Sequence, residues 1–123
     1  MTKPRSFRFV GSGAPPAVLP YGVARVDADG EAVLIRVDSK HRDLHAVADS
    51  LPDAGTLPPG TAVVVLAEGA HLGGFFGALG AFGSRKLDRA VRAGALLARG
   101  YIELGVEVDA ASQLDVVYAR TPR

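Results

Sequence analysis

From Gly69 to Gly83 the chain runs G-A-H-L-G-G-F-F-G-A-L-G-A-F-G, fifteen residues with six glycines and no formal charge. At 3.6 residues per turn, Leu72, Phe75, Phe76, Leu79 and Phe82 fall on one arc of a helix. Gly69, Gly73, Gly77 and Gly80 fall on the opposite arc. Neither arc suits water, and each glycine costs about 1 kcal/mol relative to alanine in a helix interior. The segment therefore stays helical only where something covers both sides. Three coverings are open. The short connection to the next helical stretch favours a helical hairpin laid over a sheet. A second is a partner protein, with Leu72, Phe75, Phe76, Leu79 and Phe82 as the binding surface. The third is a lipid surface that takes up the Gly/Phe segment.

At 123 residues the chain is expected to form a single domain, 1–123, with a sizeable core. A hydrophobic content of 48% with 22% charged residues reads as globular and not disordered. The net charge of +1 is too small to steer nucleic acid toward the protein, so no nucleic-acid partner is expected. With no cysteine, disulfides, thiolate catalysis and cysteine-based zinc sites are excluded. The start M-T-K-P-R-S-F-R lacks the apolar core of a signal peptide, which points to the cytoplasm. Glu68, His71 and the glycines argue against a transmembrane helix over Thr61–Gly83.

Hydropathy patterning predicts an α/β or α+β domain with a mixed sheet of about five to six strands and about three helices. The predicted order is β-β-β-α-β-α-α-β-β. Residues 1–20 hold a short basic strand at Phe7–Val10 and a Pro/Gly loop. Tyr21–Asp27 and Glu31–Asp38 read as a hairpin closed by Asp29-Gly30, a dipeptide that accepts positive φ at both central positions. In that register Val26, Ala24 and Gly22 stand opposite Val33, Ile35 and Val37, so one face is apolar. Ser39 is placed to cap a helix that runs to Leu51 and stops before Pro52. Leu57-Pro58-Pro59-Gly60 turns into Thr61–Ala67, whose Val-Val-Val-Leu run suits a strand covered on both faces. Gly83-Ser84 marks a stop and a new cap.

The helix expected over Arg85–Arg99 divides Leu87, Ala90, Val91, Gly94, Leu97 and Ala98 from Arg85, Arg89, Arg92 and Arg99. Ala90, Gly94 and Ala98 form a small-residue ridge, as do Gly69, Gly73 and Gly77, and such ridges let helix backbones approach closely. Tyr101–Asp109 alternates, with Ile102, Leu104, Val106 and Val108 expected inward and Glu103 and Glu107 outward. Leu114–Arg120 completes a second hairpin.

Few residues offer chemistry. The stripe Arg85, Arg89, Arg92 and Arg99 has the composition of an anion-binding face, against the commoner reading of a solvated one. His41, His45 and Asp49 share a helix face at i, i+4 and i+8, but lack the glutamate of a H-E-x-x-H site, and no metal is expected. His71 lies near Glu68 just past a strand, with no nucleophile or second acid-base group beside it, so no catalytic residue is assigned. Gly11-Ser12-Gly13 is followed by Ala14-Pro15-Pro16, where a phosphate-binding helix should begin, and is not a nucleotide loop.

From Leu57 onward the chain resembles the last third of class I S-adenosylmethionine-dependent methyltransferases. Leu57-Pro58-Pro59-Gly60-Thr61 with Val63–Leu66 is similar to the Pro-Gly turn entering their fifth core strand. Leu97-Ala98-Arg99-Gly100-Tyr101 with Ile102–Val108 is similar to their helix end, Gly-aromatic turn and sixth strand. Leu114–Arg120 with Pro122 resembles the terminal antiparallel strand. The resemblance spans residues 57–122, about half the chain. It implies a methyltransferase-like partial fold, with an enzymatic role alone or in a complex that completes it. The family's glycine-rich cofactor loop and its ribose-holding acidic residue have no counterpart here, so no cofactor is expected. The residues themselves favour a non-catalytic accessory domain that acts by protein or peptide association, as a homodimer.

Overall fold

The computed structural model describes residues 3–10, 15–37, 44–67 and 89–123. Five strands make one mixed sheet: β1 (Phe7–Val10), β2 (Ala32–Val37), β3 (Ala62–Ala67), β4 (Ile102–Val108) and β5 (Asp115–Arg120). Their order across the sheet is β1-β2-β3-β5-β4. The first three run parallel, and β5 lies antiparallel between β3 and β4. Two helices complete an α+β fold among the described residues: α1 (Leu44–Ser50) and α2 (89–98). None of the described helices is long and apolar enough to cross a membrane.

The apolar run in β3 behaves as its composition demands. Val63 and Val65 join one core with β2, β5 and both helices, and Val64 joins a second core on the opposite face. All three are 0% exposed. Helices cover the first face through Val47, Leu51, Ala95 and Leu96. The irregular segment 15–27 covers the second, through Leu19 and the partly buried Tyr21, Val23 and Val26. A central strand hidden on both faces needs no polar alternation, and this one has none.

Local chemistry explains how the helices end. Gly100 adopts φ +91°, its amide reaches Leu97 O at 3.1 Å, and the Tyr101 amide reaches Leu96 O at 3.0 Å. That pair of bonds is a Schellman cap, which needs a residue free to take positive φ. Past the end of α1, the carbonyls of Leu51 and Pro52 accept from Arg99 Nε (3.2 Å) and the Tyr101 hydroxyl (2.7 Å). The end of α2 thus supplies the partners that the end of α1 lacks. Burial, with Asp53 nearby, pushes the Tyr101 phenol up to about 12, despite the opposing charge of Arg99.

Three expectations are corrected. Tyr21–Asp27 is not a strand and makes no hairpin with Glu31–Asp38. Tyr21 and Gly22 adopt φ +63° and +72° within a 3-10 turn at Pro20–Gly22, which breaks an extended run. Val26 bridges Phe7 in parallel, and β1 occupies the edge of β2 that the hairpin would have used. Glu31 and Ala32 are steered there by Ser6, whose Oγ and O accept their amides.

The buried face of α2 is rotated from the expected one, although Val91 packs against the core as expected. Ala90 and Ala98 are exposed and Leu97 is 62% exposed, while Ala95, Leu96 and Arg92 are buried. Charge assigned Arg92 to water, but the backbone carbonyls of Val65 within β3 and Asp115 at the start of β5 accept from it. Finally, Ile102, Val106 and Val108 do not point into the core. A bulge between Ile102 and Gly105 shifts the alternation, and the helices stop short of the edge beyond it. The Gly69–Gly83 segment, Ser39, His41, Arg85, Leu87 and Gly11-Ser12-Gly13 lie outside the described residues.

Candidate functional site

Strand β4 reads I-E-L-G-V-E-V and forms one edge of the sheet. Among the described residues no strand pairs with its outer side. The opposite edge is protected, because Val26 bridges Phe7 and the Asp27 amide donates to Phe7 O at 2.8 Å. Natural edges carry such cover, charged side chains or a bulge; β4 has a bulge and two glutamates but no covering segment among the described residues.

The bulge decides which side chains meet the surface. Ile102 stands opposite Arg120, whereas Gly105 stands opposite Tyr118 and Val106 opposite Val117, one residue out of step. Glu103, with φ +55°, is the extra residue. Leu104, Val106 and Val108 consequently share the helix-covered face, with Leu104 packed against that core. Beyond the reach of α2, Val106 is 45% and Val108 51% exposed. On the other face the Tyr118 ring lies over Gly105, where any Cβ would stand 2.2 Å from ring atoms.

Both glutamates of β4 are engaged within the chain. Glu103 faces Arg120 Nε at 3.4 Å, and Arg120 also donates to Gly60 O at 2.6 Å. Glu107 accepts from the Tyr21 hydroxyl in a very short hydrogen bond. Beside the bulge opens a groove of about 340 Å³, lined by Glu103, Leu104, Tyr118, Ala119 and Arg120.

At the far end of β4, the buried Asp109 accepts from the Tyr21 amide (2.9 Å), the Ser112 amide (3.0 Å) and the Ser112 hydroxyl (2.6 Å). Burial pushes its carboxyl up, but these donors and the Ala111 amide outweigh that and hold it below the usual carboxylate range. Tyr21 moves the other way. Burial raises its phenol far above the ordinary value, reinforced by the hydrogen bond to Glu107 and by the charges of Glu107 and Asp109. Nothing in the sequence signals this contact, although D-A-A-S at Asp109–Ser112 is a recognisable side-chain-capped turn.

The predicted anion-binding residues have local partners. Arg89 pairs with Asp115 at 2.6 Å, and Arg92 donates to Val65 O (3.0 Å) and Asp115 O (3.2 Å). Arg99 is bound to Leu51 O. Arg89 and Arg92 meet at Asp115, whereas Arg99 sits at the far end of α2. On α1, His45 and Asp49 are both exposed. Among the described residues no group of three histidine or acidic side chains is placed to hold a metal. The predicted partner-binding residues Leu72, Phe75, Phe76, Leu79 and Phe82 lie outside the described residues. No protein-family model, curated protein or solved structure matches the chain.

Proposed function

We propose that this chain is a small non-catalytic binding domain that acts in the cytoplasm through association with protein or peptide. The observation that carries this reading is the uncovered edge of β4. There the outer backbone edge, unpaired among the described residues, runs beside the half-exposed Val106 and Val108, while both carboxylates of the strand are bound within the chain. Such an edge offers main-chain hydrogen bonds to an added strand and apolar contact to its side chains. Sedimentation velocity on the wild type and on a Val106→Lys/Val108→Lys variant tests the reading. Both valines are half-exposed, so the variant should fold; the wild type is expected to associate as concentration rises and the variant to stay monomeric. Identical sedimentation of the two proteins would remove this edge from any role in binding.

A second reading is a methyltransferase-like partial fold. It is supported by the placement of the three segments that carry the resemblance. They form neighbouring strands β3, β5 and β4, with the last segment of the chain running antiparallel between the other two. Calorimetry against S-adenosylmethionine separates the readings. An association domain gives no heat, and micromolar binding by a monomer would establish the enzyme instead.

A further inference from the structure

We infer that the peptide bond between Asp29 and Gly30 is a site of spontaneous isomerisation, and that its isoaspartyl product loosens the edge strand β1 from β2. In this reaction the backbone nitrogen that follows an aspartate attacks the carboxyl carbon of its side chain. Water leaves, the amide proton is lost and a five-membered succinimide closes. Hydrolysis returns the water at either ring carbonyl. One route restores aspartate, and the other reroutes the main chain through the side chain as isoaspartate. The step needs no oxidant, metal or enzyme. A side chain on the following residue obstructs ring closure, and glycine has none. The chain holds one Asp-Gly pair and no asparagine, and every other aspartate precedes a residue that carries a side chain.

The structure leaves this pair open to the reaction. Asp29 is exposed in the turn at 28–29, outside any helix or strand. Its carboxylate has no hydrogen-bond or ion-pair partner among the described residues. The nucleophile is held only by a long bond, from the Gly30 amide to Asp27 O at 3.2 Å. Other aspartates are better occupied: Asp53 accepts from the Gly55 amide, Asp115 pairs with Arg89, and Asp109 accepts from Tyr21 and Ser112.

The consequence follows from what flanks the pair. The Asp27 amide donates to Phe7 O at 2.8 Å, and the Glu31 and Ala32 amides reach Ser6 Oγ (3.0 Å) and Ser6 O (3.3 Å). The loop between them is therefore fixed at both ends on Ser6 and Phe7. Gly30 lies against that same strand, where an added Cβ would collide with the peptide joining Phe7 to Arg8. Isoaspartate inserts one methylene into the main chain immediately before Gly30, a bond length of about 1.5 Å. With no room beneath Gly30, the extra atom drives Glu31 and Ala32 off Ser6. β1 is only four residues long, and its pairing begins at Phe7 opposite Ala32, directly beside the lost bonds.

Ageing the full chain in warm neutral buffer, beside a fresh sample, tests both parts. On tryptic digestion, the peptide Val26–Arg36 from aged protein should run as two chromatographic forms of equal mass. A minor fraction should be lighter by one water, and electron-transfer fragmentation should place isoaspartate at position 29. Asp29→Glu keeps the charge at an exposed position and would need a slower six-membered ring, so its peptide should stay single. In hydrogen exchange, β1 of the aged wild type should show a fast-exchanging population equal to the isoaspartate fraction, absent from aged Asp29→Glu. A wild-type peptide that stays single, or isomerises at Asp27 instead, would overturn the site. Isoaspartate at position 29 with β1 as protected as in fresh protein would overturn the loosening.

Discussion

The hydroxyl of Tyr21 donates to the carboxylate of Glu107, and the Tyr21 ring packs 6.4 Å from that of Phe7, so one side chain ties β4 to β1. These are the two edge strands of the sheet. The same residue gives its backbone amide to Asp109. Besides the packing of Leu19, Val23 and Val26 and the bonds of 26–27 to Phe7, Tyr21 fastens segment 15–27 to β4, held in a left-handed conformation that its three contacts must sustain. The clasp also bears on β4, because it occupies Glu107 on the face opposite the half-exposed Val106 and Val108.

Tyr21→Phe keeps the ring and removes the clasp. A hydrogen bond to a charged acceptor contributes about 1.5–3 kcal/mol, and the loss should approach the lower end because Glu107 can regain water. Urea denaturation measures it. Because folding holds the phenol protonated, its contribution is present below pH 10 and fades as pH climbs above that value. Spectrophotometric titration of the variant should lack a late alkaline step seen in the wild type. Equal midpoints and equal titrations would show that the hydroxyl does not bind Glu107.

Arg92 should be far more sensitive than any surface arginine. It is 2% exposed and bridges the carbonyls of Val65 and Asp115, linking α2 to both β3 and β5. Arg92→Met leaves buried acceptors without a donor, at a cost of about 3–5 kcal/mol, comparable to breaking a buried ion pair. Arg92→Lys should recover part of the loss, since a single guanidinium nitrogen makes both bonds and an ammonium that reaches the same point can donate to both carbonyls. Thermal melting decides between these outcomes, and a variant as stable as wild type would place Arg92 outside the core.

The elements legible in the sequence are those whose causes are local. The Val63–Leu66 run announces a strand hidden on both faces, and Gly100 before Tyr101 announces a helix end. The turn between β4 and β5 is read from its flanking strands. What sequence spacing missed depends on partners far along the chain. Asp29-Gly30 favours a hairpin, but the sheet offers β2 a parallel neighbour in β1, and that pairing prevails. Arg92 looks solvated until the carbonyls of β3 and β5 are placed beneath it. Tyr21 and Glu107 are 86 positions apart, and neither carries a local mark of the other. On β4, the alternation is real but the bulge and the limited reach of α2 leave two of its valines outside.

Acid should unfold the protein partly through Asp109. Its carboxyl is held below the usual carboxylate range in the folded chain, so its ionised form favours folding at neutral pH. The contribution disappears as pH falls through the folded value. Asp109→Asn should be less stable than wild type at neutral pH, and the gap should narrow below about pH 4, where the wild type loses this advantage. Denaturation midpoints collected across that range test the point. A gap that stayed constant with pH would assign the acid sensitivity to other carboxylates.

The orientation of α2 yields the sharpest contrast between adjacent residues. Leu96 is 0% exposed and packs in the core shared by both helices, while Leu97 is 62% exposed. An apolar-face reading of this helix places Leu97 inside and would make it the costly position. With the observed phase, Leu96→Ala opens a cavity between α2 and the sheet and should cost about 2–5 kcal/mol. Leu97→Ala should change stability by less than about 0.5 kcal/mol, as for other exposed helix positions. Both carbonyls participate in the cap at Gly100, so the backbone contribution is the same in each variant and the difference reports side-chain burial alone. Chemical denaturation of the two proteins side by side measures it. Equal losses, or a larger loss at Leu97, would mean that α2 is turned the other way and that Arg92 faces solvent.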